Sequence, residues 1–85
     1  MTEQQIGFVD HWYGHMNVAG VKVTEGSLKE GDTLHFKGHT TDFTETVNSI
    51  ELEHEHKTHA EPGDAVGVKV SQKCRLHDKV YKVTD

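Results

Sequence analysis

Eight histidines among 85 residues are the first chemical feature of this chain. Three of them lie in the run Glu53-His54-Glu55-His56-Lys57-Thr58-His59. Residues two apart on a strand share a face. His54 and His56 therefore point to one side, and His59 is close enough to fold back from a following loop. Three imidazole nitrogens with Glu53 or Glu55 behind them form a zinc-type ligand set. The same residues also suit the solvated rim of a β structure, and this reading is preferred. No metal and no cofactor is expected. His54, His56, Lys57 and His59 form the candidate partner-binding surface, and a metal-binding or metal-stabilised histidine rim is the alternative.

Catalytic chemistry has less to work with. Cys74 has His77 three residues on, but a thiol nucleophile also needs a group to orient its base, and the turn supplies none. Glu51, Glu53 and Glu55 alternate along one extended segment and suit a solvated outer face better than an acid–base pair. Trp12 and Tyr13 are neighbours, so one ring faces inward and the other outward, where it is available to stack on a base or a partner. No catalytic residue is assigned, and the chain is not expected to be an enzyme.

Bulk composition narrows the classes further. Eighty-five residues make one domain, spanning 1–85 with its core at about 5–83. Apolar residues are 33% of the chain, which is enough to fill a small barrel where one strand residue in two points inward. The formal charge of −5 argues against a DNA- or RNA-coating protein. Charge is uneven: Ala65–Asp85 holds five cations and two acids, net +3, whereas the preceding residues hold four cations and twelve acids, net −8. A lone cysteine forms no internal disulfide, and neither a signal-peptide pattern nor a run of about 20 apolar residues occurs. A cytoplasmic monomer without DNA or membrane partners is the expectation.

The elements that position these groups are strands. Ile6 and Phe8 alternate in a first strand reaching about Trp12, and Ala19, Val21 and Val23 share a face of the second. Leu28 stands alone between Gly26 and Gly31 and is expected to plug one barrel end. Leu34 and Phe36 form the third strand's inner face. In Thr40–His56, Phe43 and Val47 have one parity and Ile50 and Leu52 the other, which predicts a β-bulge near Asn48-Ser49. Pro62-Gly63 fits the centre of a type II turn. Val66, Val68 and Val70 form the clearest strand, and Val80, Tyr81 and Val83 the last. Between them Arg75-Leu76-His77-Asp78 turns the chain, with His77 in the left-handed region. The result is an all-β fold, a small closed six-stranded Greek-key-like β-barrel.

Three motifs in order carry a family resemblance. Val23-Thr24-Glu25-Gly26-Ser27-Leu28-Lys29-Glu30-Gly31-Asp32-Thr33-Leu34 resembles the "V-x-x-G-x-L-K-x-G-D-x-L" signature of domain 2 in elongation factor Tu and related translational GTPases. Ser49-Ile50-Glu51 with Ala60-Glu61-Pro62-Gly63-Asp64-Ala65-Val66-Gly67-Val68 resembles its "S-I-x … A-x-x-G-D-x-V-G-I" half, and His77-Asp78-Lys79-Val80-Tyr81 its closing strand. Phe36-Lys37-Gly38-His39-Thr40-Thr41-Asp42-Phe43 is similar to short, free-standing translation elongation factor-like proteins built of this barrel alone. Related barrels also extend some collagenase-like peptidases. The resemblance implies a non-catalytic module that docks on a protein or structured RNA of the translation apparatus. A phosphate loop is absent, which excludes GTP hydrolysis here. The Glu53–His59 loop lacks the aromatic and arginine residues that contact tRNA in the full factor, so tRNA binding does not carry over.

Overall fold

The computed structural model describes residues 2–52 and 55–84. Ten strand segments are described: β1 (Thr2–Tyr13), β2 (Val18–Val23), β3 (Leu28–Lys29), β4 (Thr33–Lys37), β5 (Asp42–Thr46), β6 (Ile50–Leu52), β7 (Glu55–Lys57), β8 (His59–Ala60), β9 (Ala65–Lys69) and β10 (Lys79–Thr84). Eight of them pair in the order β5-β4-β10-β1-β2-β9-β6-β7, and β3 pairs separately with β8. Smaller contacts link separate parts of the long ladder. Ser71 beyond β9 donates its backbone N–H and its hydroxyl to Glu45 of β5, at 2.7 and 2.8 Å. Val47 and the turn before β4 exchange backbone bonds, Gly31 N–H to Val47 O at 2.9 Å and Val47 N–H to Asp32 O at 2.8 Å. The sheet thus rolls around one core, and the fold is all-β and barrel-like, as the alternation implied.

That core follows from two-residue periodicity. Ala19, Val21 and Val23, Leu34 and Phe36, and Val66, Val68 and Val70 all turn inward, and Leu28 is fully buried at the expected plug position. Phe36 and Phe43 stack with ring centroids 5.1 Å apart at the β4–β5 pairing.

Three departures have physical causes. Inward residues of β1 are Ile6 and Val9, with Trp12 packed against the core, whereas Phe8 is only half-buried. Pairing with β10 skips Ile6, and pairing with β2 skips Asp10. Each extra residue reverses the parity once. Second, the expected bulge at Asn48-Ser49 is a break: β5 pairs with β4, β6 pairs with β9 and β7, and residues 47–49 lie between them outside either strand. Third, Glu51 and Glu55 do not share a strand face, because β6 and β7 are antiparallel and Glu51 faces His56. The six expected strands are present, the fourth divided, and the two- and three-residue segments β3, β7 and β8 are too short to show an alternation.

One turn design occurs three times. In Lys29-Glu30-Gly31-Asp32, Glu61-Pro62-Gly63-Asp64 and Arg75-Leu76-His77-Asp78, the aspartate N–H donates to the first carbonyl at 3.1, 3.0 and 3.2 Å. Its carboxylate accepts the first residue's N–H at 2.9, 3.0 and 2.8 Å. The third residue has φ of 94°, 99° and 73°. A Cβ at Gly31 or Gly63 would touch nothing within 4 Å, so backbone angle and not space favours glycine there. His77 carries the Cβ penalty of the left-handed region, about 1–2 kcal/mol. The substitution His77→Gly should therefore raise stability by about 1 kcal/mol in urea denaturation.

Candidate functional site

The histidine rim does not gather as a ligand set among the described residues. His56 on β7 lies with Nε2 2.6 Å from Glu30 Oε2 in the turn before β4. His59 on β8 faces Lys29 across the β3–β8 pair and is exposed. Lys57 lies 3.4 Å from Glu55 Oε2. His54 lies outside the described residues. No three His, Cys, Asp or Glu side chains converge as a metal site among the described residues. His56 and Lys57 each have a carboxylate partner on this chain, which reduces the charge they offer to another molecule.

Cys74 is fully buried, and its thiol is pushed up to about 12 by burial first, then by Asp78 and Glu45. A thiol so held is protonated at neutral pH and is no nucleophile. Trp12 packs on the core while Tyr13 is 42% exposed, so the outward ring is Tyr13.

A larger feature lies on the outer face of β1, β2, β9 and β6. Cross-strand register aligns His11 with Gly20, Gly20 with Gly67, Gly67 with Glu51, and Glu51 with His56. Two paired glycines put no side chain in the middle of this row: Gly67 is half-buried, and Gly20 is buried beneath Asp10 and His11. Strands lie about 4.8 Å apart, so His11 and Glu51 stand roughly 14 Å from one another across the gap. The result is a trough of about 440 Å³ lined by Tyr13, Met16, Val18 and Ala65 besides the row from His11 to Glu51. Its acidic members are Asp10, the bulged residue of β1, and Glu51. Tyr13 and Met16, at 42% and 57% exposure, are two of three exposed large hydrophobic residues among those described; Leu76 is the third. The rings of His11 and Tyr13 lie 4.1 Å apart and form one wall. Sequence reasoning expected one exposed ring of the pair Trp12 and Tyr13 without saying which, and missed the trough. Its signal was a glycine at an outward position in each of two adjacent valine-rich strands, where a β-branched residue is usual.

A second cluster stabilises the opposite flank of the sheet. His35 on β4 is largely buried, its side chain 14% exposed. Its Nδ1 lies 3.0 Å from both carboxylate oxygens of Glu3, reaching over β10 to β1, and its Nε2 lies 2.5 Å from Asp42 on β5. Hydrogen bonds to Asp42 and then Glu3 raise the His35 pKa above its ordinary 6.5, against the opposing effect of burial, and the bond to His35 lowers that of Asp42 below 3.8. The His35 contribution to stability is full below its unfolded pKa and is lost as pH rises through the raised folded value. The Asp42 contribution is present above its unfolded pKa and is lost as pH falls through the lowered one. The stability gap between the native chain and His35→Gln should be widest between these limits and shrink at both ends, as read from thermal melts at stepped pH.

Barrel and trough together describe a small all-β domain with an open outer face. The elongation factor Tu domain 2 family model matches residues 17–74, and the chain belongs to that family. It is 36% identical over 78 residues, 91% of its length, to an uncharacterized protease of Methanocaldococcus jannaschii, of which the match covers 19%. The chain therefore spans about a fifth of that relative. Among solved structures it is similar to the C-terminal domain of a putative U32 peptidase of Geobacillus thermoleovorans, with TM-score 0.87, 21% identity, and 95% and 93% of the two chains covered. The selenomethionine variant of that domain gives TM-score 0.84 at 21% identity, covering 91% and 96%. The likeness to these solved structures shows the fold.

Proposed function

We propose that this chain is a non-catalytic protein-docking module, monomeric and cytoplasmic, whose recognition face is the trough over Gly20 and Gly67. The observation that carries the proposal is the convergence of exposed Tyr13 and Met16 on a depression floored by backbone. Exposed aromatic and methionine side chains beside a concavity suit a protein partner. Asp10 and Glu51 repel phosphate, which favours protein over RNA at this face. The protonated, buried Cys74 supports a non-enzymatic role.

The partner is drawn from two contexts. The U32 peptidase C-terminal domains suggest a peptidase body or its substrate; domain 2 membership and the likeness to free-standing factor-like proteins suggest a translation component. Of the rim residues, His56 borders the same face, since it is next in register to Glu51. Photo-crosslinking from positions 16, 59 and 76 in living cells tests the assignment. A ribonuclease-resistant protein adduct concentrated at position 16 is expected. Adducts confined to position 59, or sensitive to ribonuclease, would move the site to the rim or the partner to RNA.

A further inference from the structure

We infer that the trough receives a planar cation, an arginine side chain carried on an extended segment of the partner protein. The inference rests on the docking reading above and adds the chemistry of the occupant. Asp10 and Glu51 stand on opposite sides of the glycine floor and take part in no ion pair among the described residues. Asp10 Oδ1 lies 3.0 Å from where a Gly20 Cβ would be, so the carboxylate overhangs the floor itself. The His11–Tyr13 ring pair closes one side. A carboxylate overhanging the floor, an aromatic wall and a flat peptide surface match three properties of guanidinium: charge-assisted donation, stacking on a π face, and a planar shape.

Other occupants fit less well. A lysine ammonium is compact and strongly hydrated, and a flat floor offers it no advantage. A calcium-type ion needs six or more oxygen ligands, and among the described residues no group of three His, Cys, Asp or Glu side chains is arranged to hold a metal ion. Lys69, two residues from Gly67, lines the adjoining hollow with His15 and Glu51, and Lys22, two residues from Gly20, turns its Nζ to the Gly63 carbonyl at 2.9 Å; among the described residues neither forms an ion pair with Asp10 or Glu51. An arginine followed by an acidic residue would suit both hollows in sequence.

Amide NMR of the intact chain tests this with defined probes: acetyl-Gly-Arg-Gly-amide, the same peptide with citrulline or lysine for arginine, and a uridine octanucleotide. Citrulline keeps the planar shape and lacks the charge. The arginine peptide should move the Gly20, Gly67 and Tyr13 resonances at millimolar concentration. Affinity should fall by about tenfold with citrulline or lysine, and by about threefold to tenfold in Glu51→Gln. Equal response to citrulline or lysine, shifts confined elsewhere, no shift, or displacement by the oligonucleotide would each overturn the inference. If the arginine effect is absent while crosslinks from position 16 still capture protein, only the occupant is wrong. If those crosslinks are absent too, the docking face itself is wrong.

Discussion

Gly7→Ala is expected to destabilise the fold by roughly 3–5 kcal/mol, enough to unfold much of a domain whose total stability is about 5–15 kcal/mol. Gly7 sits in β1 directly after the first bulge, paired with Val23 on one side and Val80 on the other. A Cβ there would collide with the carbonyl oxygen of Lys22 and lie 2.9 Å from its carbonyl carbon and 3.2 Å from the Val23 Cα. All three are backbone atoms of the neighbouring strand, so no side-chain rotation relieves the clash, and β1 must separate from β2. The control is Gly67→Ala on the same sheet. There the nearest atom is a methyl carbon of Val18 at 3.1 Å, which yields by a small shift. β-propensity alone would have both alanines stabilise the sheet. Chemical denaturation should give a large loss for Gly7→Ala and a change within about 1 kcal/mol for Gly67→Ala.

Phe36→Ala should cost about 3–5 kcal/mol. Phe36 is fully buried near the end of β4, stacked on Phe43 and part of a core drawn from strands distant in sequence. Removing its ring leaves a cavity that a rolled sheet cannot close, because backbone ladders on either side of β4 fix its position. Phe36→Leu should recover more than half of the loss, since most of the volume returns. Equal losses for the two variants in thermal and urea melts would mean that ring stacking, rather than filled volume, dominates this part of the core.

The positions of Phe36 and the valine strands were legible because period-two alternation survives wherever a strand pairs regularly. It failed at β1. Ile6 and Asp10 each add a residue, and side-chain direction then depends on register with β10 and β2, which no local pattern encodes. The chain's reversal from β6 to β7 was hidden for a similar reason, since Ile50–Lys57 has no glycine or proline to mark a turn. His77 was readable, because its aspartate neighbour copies the Gly-Asp pairs at 31–32 and 63–64. The candidate site was mostly illegible. Histidine abundance drew attention to residues 54–59, whereas the trough arises from Gly20 and Gly67, 47 positions apart and adjacent only once β2 pairs with β9. Small residues signal chemistry by what they leave open, and that depends on neighbours.

Gly67→Val is the most direct probe of docking through that opening. Valine is favoured over glycine on a sheet by about 1 kcal/mol, which offsets the crowding against Val18, so the variant should melt near the native temperature. Its side chain would nevertheless occupy the floor between Asp10 and Glu51. Capture of the partner that crosslinks from position 16, measured with folded native and variant chains in ribonuclease-treated lysate, should fall about tenfold or more. Undiminished capture by a fully folded Gly67→Val chain would contradict the account.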